Sequence, residues 1–322
     1  MLIYLFRRLN LLLFTALTLS IITFMLTLWS SPELLVKDVN YFMLYVDHMK
    51  HILQGQWGIS IINQQSHMMN GLMAFASTLE LCLVALVTSV IIGIPLGIFA
   101  GLYRNGMVDY TIMSLALIGL ALPAFWLAII MIMLPISLGI SLPIDGNISP
   151  IYEIPNITGF QLIDSLFVAE LYDLDAFFNR LAHLILPAIV LSFFLTSEII
   201  RLTRHSISLV MKSNYIKAAN TKGLSVLQIV FRHVLKNALP PIVPQLRLQL
   251  NTIISIAMTI EIVFSSHGAG AWLFTSINGS DYLALSAAVI IISGFILLSS
   301  IILDILQVFI SPTARKMLYA DK

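Results

Sequence analysis

Apolar residues in this chain neither alternate with polar ones nor return only every third or fourth position. They run together for about 20 residues at a time, and the polar residues collect between the runs. Six runs stand out, at 9–29, 78–102, 110–138, 184–200, 241–264 and 283–310. A helix needs about 20 apolar residues to cross roughly 30 Å of hydrocarbon, and each run is near or above that length. In hydrocarbon every peptide N–H and C=O must be satisfied within the protein, which leaves helices and closed barrels. Barrel strands are shorter and alternate, so the runs predict six transmembrane helices in one all-α integral membrane domain covering 1–322. The first run follows Arg7 and Arg8, as a signal peptide would. Its length and the lack of a small-x-small cleavage site predict a retained first helix instead.

Composition sharpens this picture. Hydrophobic residues make up 59% of the 322 residues, charged residues only 10%, and mean hydropathy is +0.96. A soluble domain carries about a quarter charged residues, so the solvent for most of this chain is lipid and a soluble enzyme is excluded. The single cysteine, Cys82, sits in an apolar run, which precludes an internal disulfide and makes it a small hydrophobe.

The net charge of +1 is informative only once it is divided between loops. With the N-terminus inside, segments 1–8, 103–109, 201–240 and 311–322 hold 13 of the 17 Lys and Arg residues. Segments 30–77, 139–183 and 265–282 hold only Lys37, Lys50 and Arg180. The positive-inside rule then places both termini in the cytoplasm. The outer segments are acidic, with Glu33, Asp38, Asp47, Asp145, Glu153, Asp164, Glu170, Asp173, Asp175 and Asp281. Segment 139–183 is too long for a turn and contains Pro143, Pro150 and Pro155, so it is expected to fold into short elements.

The longest inner segment, 201–240, carries the most information. Ser213 and Asn214 can cap a short helix from Tyr215 to Lys222, and Gly223 supplies a left-handed stop. Ser225 and Gln228 read as a capping box opening a second helix, which ends near Leu239 before Pro240 and Pro241. Its apolar set is Val226, Leu227, Ile229, Val230, Val234 and Leu235, set against Arg232, His233, Lys236 and Asn237. Two short helices joined at a glycine are either a surface that a partner grips or an amphipathic loop lying on lipid. Spacing alone leaves both open.

The residues themselves go further. Tyr215-Ile-Lys-Ala-Ala-Asn-Thr-Lys-Gly223, followed by Arg232-His-Val-Leu-Lys-Asn-Ala-Leu-Pro240-Pro241, resembles the EAA signature of ABC-importer permeases in its peptide-importer form. Similar matches run in order along the chain: Gly55-Gln-Trp-Gly58-Ile-Ser60, Gly93-Ile-Pro-Leu-Gly97 and Leu184-Ile-Leu-Pro187. They continue with Glu261, Phe264, Gly268 and Gly270, then Asp281-Tyr282, and close with Asp304, Pro312 and Arg315. Tyr152-Glu153, Ile157-Thr158-Gly159-Phe160, Leu162-Ile163-Asp164 and Ser60-Ile-Ile-Asn63 are similar to the antimicrobial-peptide (Sap) branch of that family. The chain departs from the pattern at Lys217, where the signature has its first acid, and at His267, where it has Pro. It departs again at Arg247, where small or apolar residues are usual.

The resemblance implies a six-helix, type I importer-like permease of the bacterial inner membrane that moves peptides, cationic and antimicrobial ones in particular. It implies that 201–240 is a coupling loop seated in a cleft of a cytoplasmic ATPase. The coupling residues would be Tyr215, Lys217, Ala218, Ala219, Lys222, Gly223, Arg232, His233, Asn237 and Pro240. Ala218 and Ala219 would keep one helix face thin enough for close approach. The chain has no G-x-x-x-x-G-K-[ST] phosphate loop, so ATP and Mg²⁺ would be bound by partner subunits and this chain would hold no cofactor or metal. The implied partners are a second homologous permease subunit, two ATPase subunits, a periplasmic substrate-binding protein and the bilayer. No nucleic-acid partner is expected.

Other residues admit two readings each. Gly93, Gly97 and Gly101 form a small-residue face, for packing within the subunit or against its sibling. Glu80, Glu198, Arg247, Glu261 and Asp304 lie in or near apolar runs, where charge is expensive. Glu198, Arg247 and Glu261 are candidates for a water-filled substrate path, although Glu198 can instead pair with Arg201 at i, i+3. Glu80 and Asp304 can sit near interfaces or cap helices. His48-x-x-His51 has a weak metal spacing and reads better as solvated polar residues. The chain lacks H-E-x-x-H and G-x-S-x-G, against an intramembrane enzyme. It also lacks visible inverted repeats and broken helices, against an autonomous secondary transporter. The acids of 139–183 predict a cationic cargo, basic peptides or polyamines, unless they dock a basic rim of the binding protein.

Overall fold

The computed structural model describes residues 2–30, 40–60, 64–240 and 242–310; the side chains of 2–9, 11, 243–248, 250 and 304–310 fall outside that description. Long helices dominate: α1 (Leu2–Ser30), α2 (Tyr41–Leu53), α3 (His67–Leu102), α4 (Met107–Ala121) and α5 (Ala124–Leu138). A loop with three short helical turns, Gln161–Asp164 (α6), Ser165–Val168 and Ala169–Tyr172 (α7), leads to α8 (Asp175–Met211). Next come α9 (Asn214–Thr221), α10 (Val226–Ile229), a π-turn (Val230–Val234) and α11 (Leu235–Ala238). The described chain closes with α12 (Val243–Val263), α13 (Ala269–Asn278) and α14 (Tyr282–Ile310).

Among the described residues, four helices are long and apolar enough to cross a membrane: α1, α3, α8 and α14. A fifth span is formed if α4 and α5 count as one, and α12 carries a shorter apolar stretch, Asn251–Val263. The expected continuous span over 110–138 is corrected here, because α4 and α5 meet at 101°. Pro123 has no N–H to continue the ladder, and it pushes Leu122 into extended backbone with ψ 129°. Each half has 15 residues and reaches only about 22 Å. The expected absence of broken helices is therefore corrected as well. Pro95, Pro135 and Pro187, by contrast, lie inside helices that continue past them.

Two other expected spans are longer than their apolar runs. The run at 78–102 belongs to a helix of 36 residues and that at 184–200 to one of 37. Hydropathy marks only the part a bilayer would cover, whereas hydrogen bonding carries both helices on into polar sequence. The segment 201–240 thus begins with eleven residues of α8, 201–211, before any loop starts.

α8 is the hub. Its best apolar window is 72% buried, against 22–28% in α1, α3 and α14, whose apolar surfaces face outward. α3 runs parallel to α8. Ser89 Oγ donates to the Ser192 carbonyl at 3.1 Å, and Gly93, Gly97 and Gly101 lie against Ile199, Thr203 and Ile207. A Cβ on Gly97 would stand 2.5 Å from Thr203 Cβ, closer than any real contact. Of the two readings of the glycine stripe, packing inside the subunit is the observed one: three missing side chains let two β-branched-rich turns approach the α3 backbone. α1 packs antiparallel on α14, with the Trp29 ring edge-on to Tyr282 at 6.1 Å.

Candidate coupling site

The segment after α8 folds on a small core that it shares with the end of α8. Ile216 and Ala219 of α9, Ile229 of α10, Val234 of the π-turn and Ala238 of α11 close around Ile207 of α8. Ser206 Oγ donates to the Ala238 carbonyl at 2.6 Å, fixing the end of the loop to α8. Gly223 has φ +79°, the left-handed stop expected after α9. The capping box is present, with Ser225 N–H donating to Gln228 Oε1 at 3.0 Å and Gln228 N–H to Ser225 Oγ at 3.4 Å. Ser213 precedes α9, but its hydroxyl donates back to the Val210 carbonyl at 2.6 Å, so the expected side-chain cap is not formed. The second helix is not regular, since residues 230–234 form a π-turn between α10 and α11. Asn237 Nδ2 donates to Tyr215 Oη at 3.0 Å and so ties the two halves together.

Ala218 and Ala219 do not share a face. Ala218 is exposed, whereas Ala219 is only 7% exposed and packs inward, so the thin outer face consists of Ala218 alone. The apolar set of the second helix also divides. Ile229, Val230 and Val234 are buried, but Val226, Leu227 and Phe231 are 63%, 70% and 71% exposed. Lys217, Lys222, Arg232, Lys236 and Asn237 are exposed around them, and His233 and Pro240 are half-buried. Phe231 was not singled out by sequence, yet a signal existed. A helix that is apolar on two faces, 230/234/238 and 227/231, has one face more than its own subunit can cover.

On the opposite end of α3 and α8 lies a buried polar network. Arg180 Nε donates to Glu80 Oε2 at 2.9 Å, its Nη2 reaches the same oxygen, and its Nη1 donates to the Asn147 carbonyl at 2.9 Å. Glu80 Oε1 accepts from the Leu162 N–H at 2.6 Å, and Asn147 Oδ1 from the His267 N–H at 2.8 Å. That last bond exists because residue 267 is His and not Pro. Sequence counts Arg180 among loop charges and puts Glu80 near an interface or at a helix cap; both are 3% exposed in their side chains. Asp164 and Asp281 are likewise internal. Asp164 accepts from the Thr158 and Gly159 N–H groups at 2.9 and 3.1 Å, and Asp281 from the Ala284 N–H at 3.1 Å.

The suspected pathway residues separate. Glu198 pairs with Arg201 at 2.7 Å, as the i, i+3 spacing allows. Glu261 is 2% exposed and accepts from the Gly270 N–H at 2.8 Å, holding the start of α13 on α12. The side chains of Arg247 and Asp304 lie outside the described residues. Arg204, counted as a loop cation, makes a two-pronged pair with Asp109 at 2.6 and 2.7 Å. Among the described residues no group of three or more potential ligands could hold a metal ion. His48 instead faces Thr23 and His51 faces Asp47.

The sequence profile of the family described as "Binding-protein-dependent transport system inner membrane component" matches residues 93–316. The chain belongs to this family. As an inner-membrane component it is similar to the "Putrescine export system permease protein SapB" of Escherichia coli (strain K12), 37% identical over 321 residues and 99% of both chains. The "Peptide transport system permease protein SapB" of Salmonella typhimurium matches to the same extent. The "Di/tripeptide transport system permease protein DppB" of Pseudomonas aeruginosa is 34% identical over 86% of this chain and 82% of that one. Among solved structures, the inward-facing MetNI methionine ABC transporter aligns at a TM-score of 0.52 and 18% identity. The alignment covers 76% of this chain and 98% of that one, and the likeness is one of fold. The family's component therefore has its glycine stripe, its 201–240 loop and its α12–α13 corner all inside the matched region.

Proposed function

We propose that this chain is the membrane-spanning permease subunit of an ATP-driven transporter for peptides, with ATP and Mg²⁺ bound by two separate ATPase subunits. A second homologous permease subunit and a periplasmic substrate-binding protein complete the assembly. The carrying observation is the surface of the 201–240 loop: a fold packed on the ends of α8 and α3 that exposes Val226, Leu227 and Phe231 amid basic residues. An apolar face of this kind on a structured loop fits a partner's cleft better than lipid, because its rigidity spares the partner the ordering cost. Uptake of a labelled peptide by vesicles containing all subunits tests the assignment; uptake that persists without the ATPase subunits would overturn it.

The same reading needs six spans with both termini inside, the bent α4–α5 pair serving as the third. In a Cys82→Ala background, a cysteine at Asn156 should react with an impermeant maleimide in intact spheroplasts. One at Ser225 should react only after permeabilisation. The reverse pattern would end this topology.

The cargo is proposed to be cationic. In the outer segment Asp145, Glu153, Glu170, Asp173 and Asp175 are exposed, while Arg180 is buried in its pair with Glu80. A surface of one sign raises the local concentration of oppositely charged ligands in a salt-sensitive way. Neutralising Glu170, Asp173 and Asp175 together is expected to lower uptake of a basic peptide roughly tenfold, and that of a neutral peptide of equal length much less. Equal losses would point to binding-protein docking instead. Putrescine is a second candidate, favoured by the name of the Escherichia coli K12 relative, and competition between putrescine and the basic peptide separates the two. Of the charged groups in the spans, Glu198 is the one we place nearest a path, since its partner Arg201 is half-exposed and Glu261 is enclosed.

A further inference from the structure

The seam between α1 and α14, roofed by α2, is an open groove. Its upper part holds about 250 Å³ and its lower part about 190 Å³, and the two share Ile52 of α2 and Ile290 of α14. Along α14 the lining runs from Leu283 to Leu297, about 21 Å of helix. That exceeds the roughly 15 Å of one leaflet's hydrocarbon. The lower walls are Ala16, Leu19, Gly294 and Leu297, and a Cβ placed on Gly294 would meet no atom within 4 Å. The space is too apolar to hold water firmly and too large to stay empty beside lipid tails.

The mouth has different chemistry. Asp47, His51 and Gln56 line it together with Trp57 and the buried edge of His48. Asp47 is well exposed, and among the described residues its carboxylate is engaged only by His51, at 3.4 Å. Burial, and then the neighbouring His51, hold the His48 pKa below its usual value, which disfavours a positive charge there. Lys50, exposed and three residues beyond Asp47 on the same helix, flanks that carboxylate without lining the groove.

We propose that this groove holds one outer-leaflet phospholipid with a primary-amine headgroup, its acyl chain along α14 and its ammonium at Asp47. Lys50 meets the phosphate. A primary ammonium donates up to three hydrogen bonds to acceptors such as the Asp47 carboxylate, whereas a quaternary ammonium donates none. The groove therefore prefers phosphatidylethanolamine to phosphatidylcholine. A cationic peptide has no hydrocarbon chain for the apolar lower slot, and a helix from another subunit is too wide for a single-chain slot of this volume.

The test uses the full transporter reconstituted in bilayers of equal phosphatidylethanolamine and phosphatidylcholine, with native mass spectrometry of the lipid retained. The wild type should retain one phosphatidylethanolamine per copy of this chain. Gly294→Leu starts from a Cβ in open space, adds bulk to the lower groove, improves helix propensity, and should lower retention roughly tenfold. Asp47→Asn should keep a lipid but lose the headgroup preference by roughly two- to fivefold. Equal retention of the two headgroups by the wild type would overturn the proposal, as would full retention by Gly294→Leu. A Ser293→Cys variant settles the other occupants. Disulfide or short cross-linker capture of the sibling subunit there, or protection by a basic peptide but not by lipid, would also overturn it.

Discussion

Replacing Arg180 with methionine is expected to remove roughly 3–5 kcal/mol of stability, because it leaves the Glu80 carboxylate buried without its cation. Both side chains are 3% exposed, so neither has water to fall back on. Arg180 also satisfies the Asn147 carbonyl, and Glu80 the Leu162 N–H, so the pair ties α3 and α8 to two points of the 139–183 segment. Thermal unfolding of the purified protein in detergent measures the loss. Adding Glu80→Gln to Arg180→Met removes the stranded charge while keeping an acceptor for Leu162, and should restore more than half of it. If single and double variants melt alike, the pair is not what holds this end together.

The second large effect belongs to the proposed coupling loop and separates two neighbouring alanines. Ala218→Trp adds bulk on the exposed face and should leave thermal stability within about 0.5 kcal/mol of the parent. It should nevertheless lower ATPase co-purification and peptide uptake roughly tenfold or more, as expected of a truncated or blocked interface hot spot. Ala219→Trp places the same ring in the small core around Ile207, Ile216 and Val234, where overpacking costs about 1–3 kcal/mol. Its defect should therefore appear first as a lower melting temperature. Gly223→Val puts a β-branched residue at φ +79° and should distort the exit from α9 with a similar loss of coupling. Full ATPase association by Ala218→Trp and Gly223→Val would exclude this surface as the docking site.

Several elements were legible because their causes are local. The Gly223 stop and the Ser225–Gln228 box depend on residues within a few positions of each other, and both formed as expected. The Glu198–Arg201 pair lies within one helical turn. The 110–138 break was also local: Pro123 carried the signal, but length and hydropathy alone passed over it.

The sequence by itself determined the solvent and the architecture, because long apolar runs admit only helices in hydrocarbon and because the loop motif is a contiguous string. Tertiary structure alone decided which charges count as surface. Glu80 and Arg180 are a hundred positions apart, as are Asp109 and Arg204 nearly so, and no periodicity pairs residues at that distance. It also decided which face of the coupling loop is free. Ala218 and Ala219 are equivalent as letters, and only the packing of α9 on Ile207 turns one inward and leaves the other exposed. An apolar run specifies that a segment is buried in something, while the identity of that something is a property of the neighbours that folding brings to it.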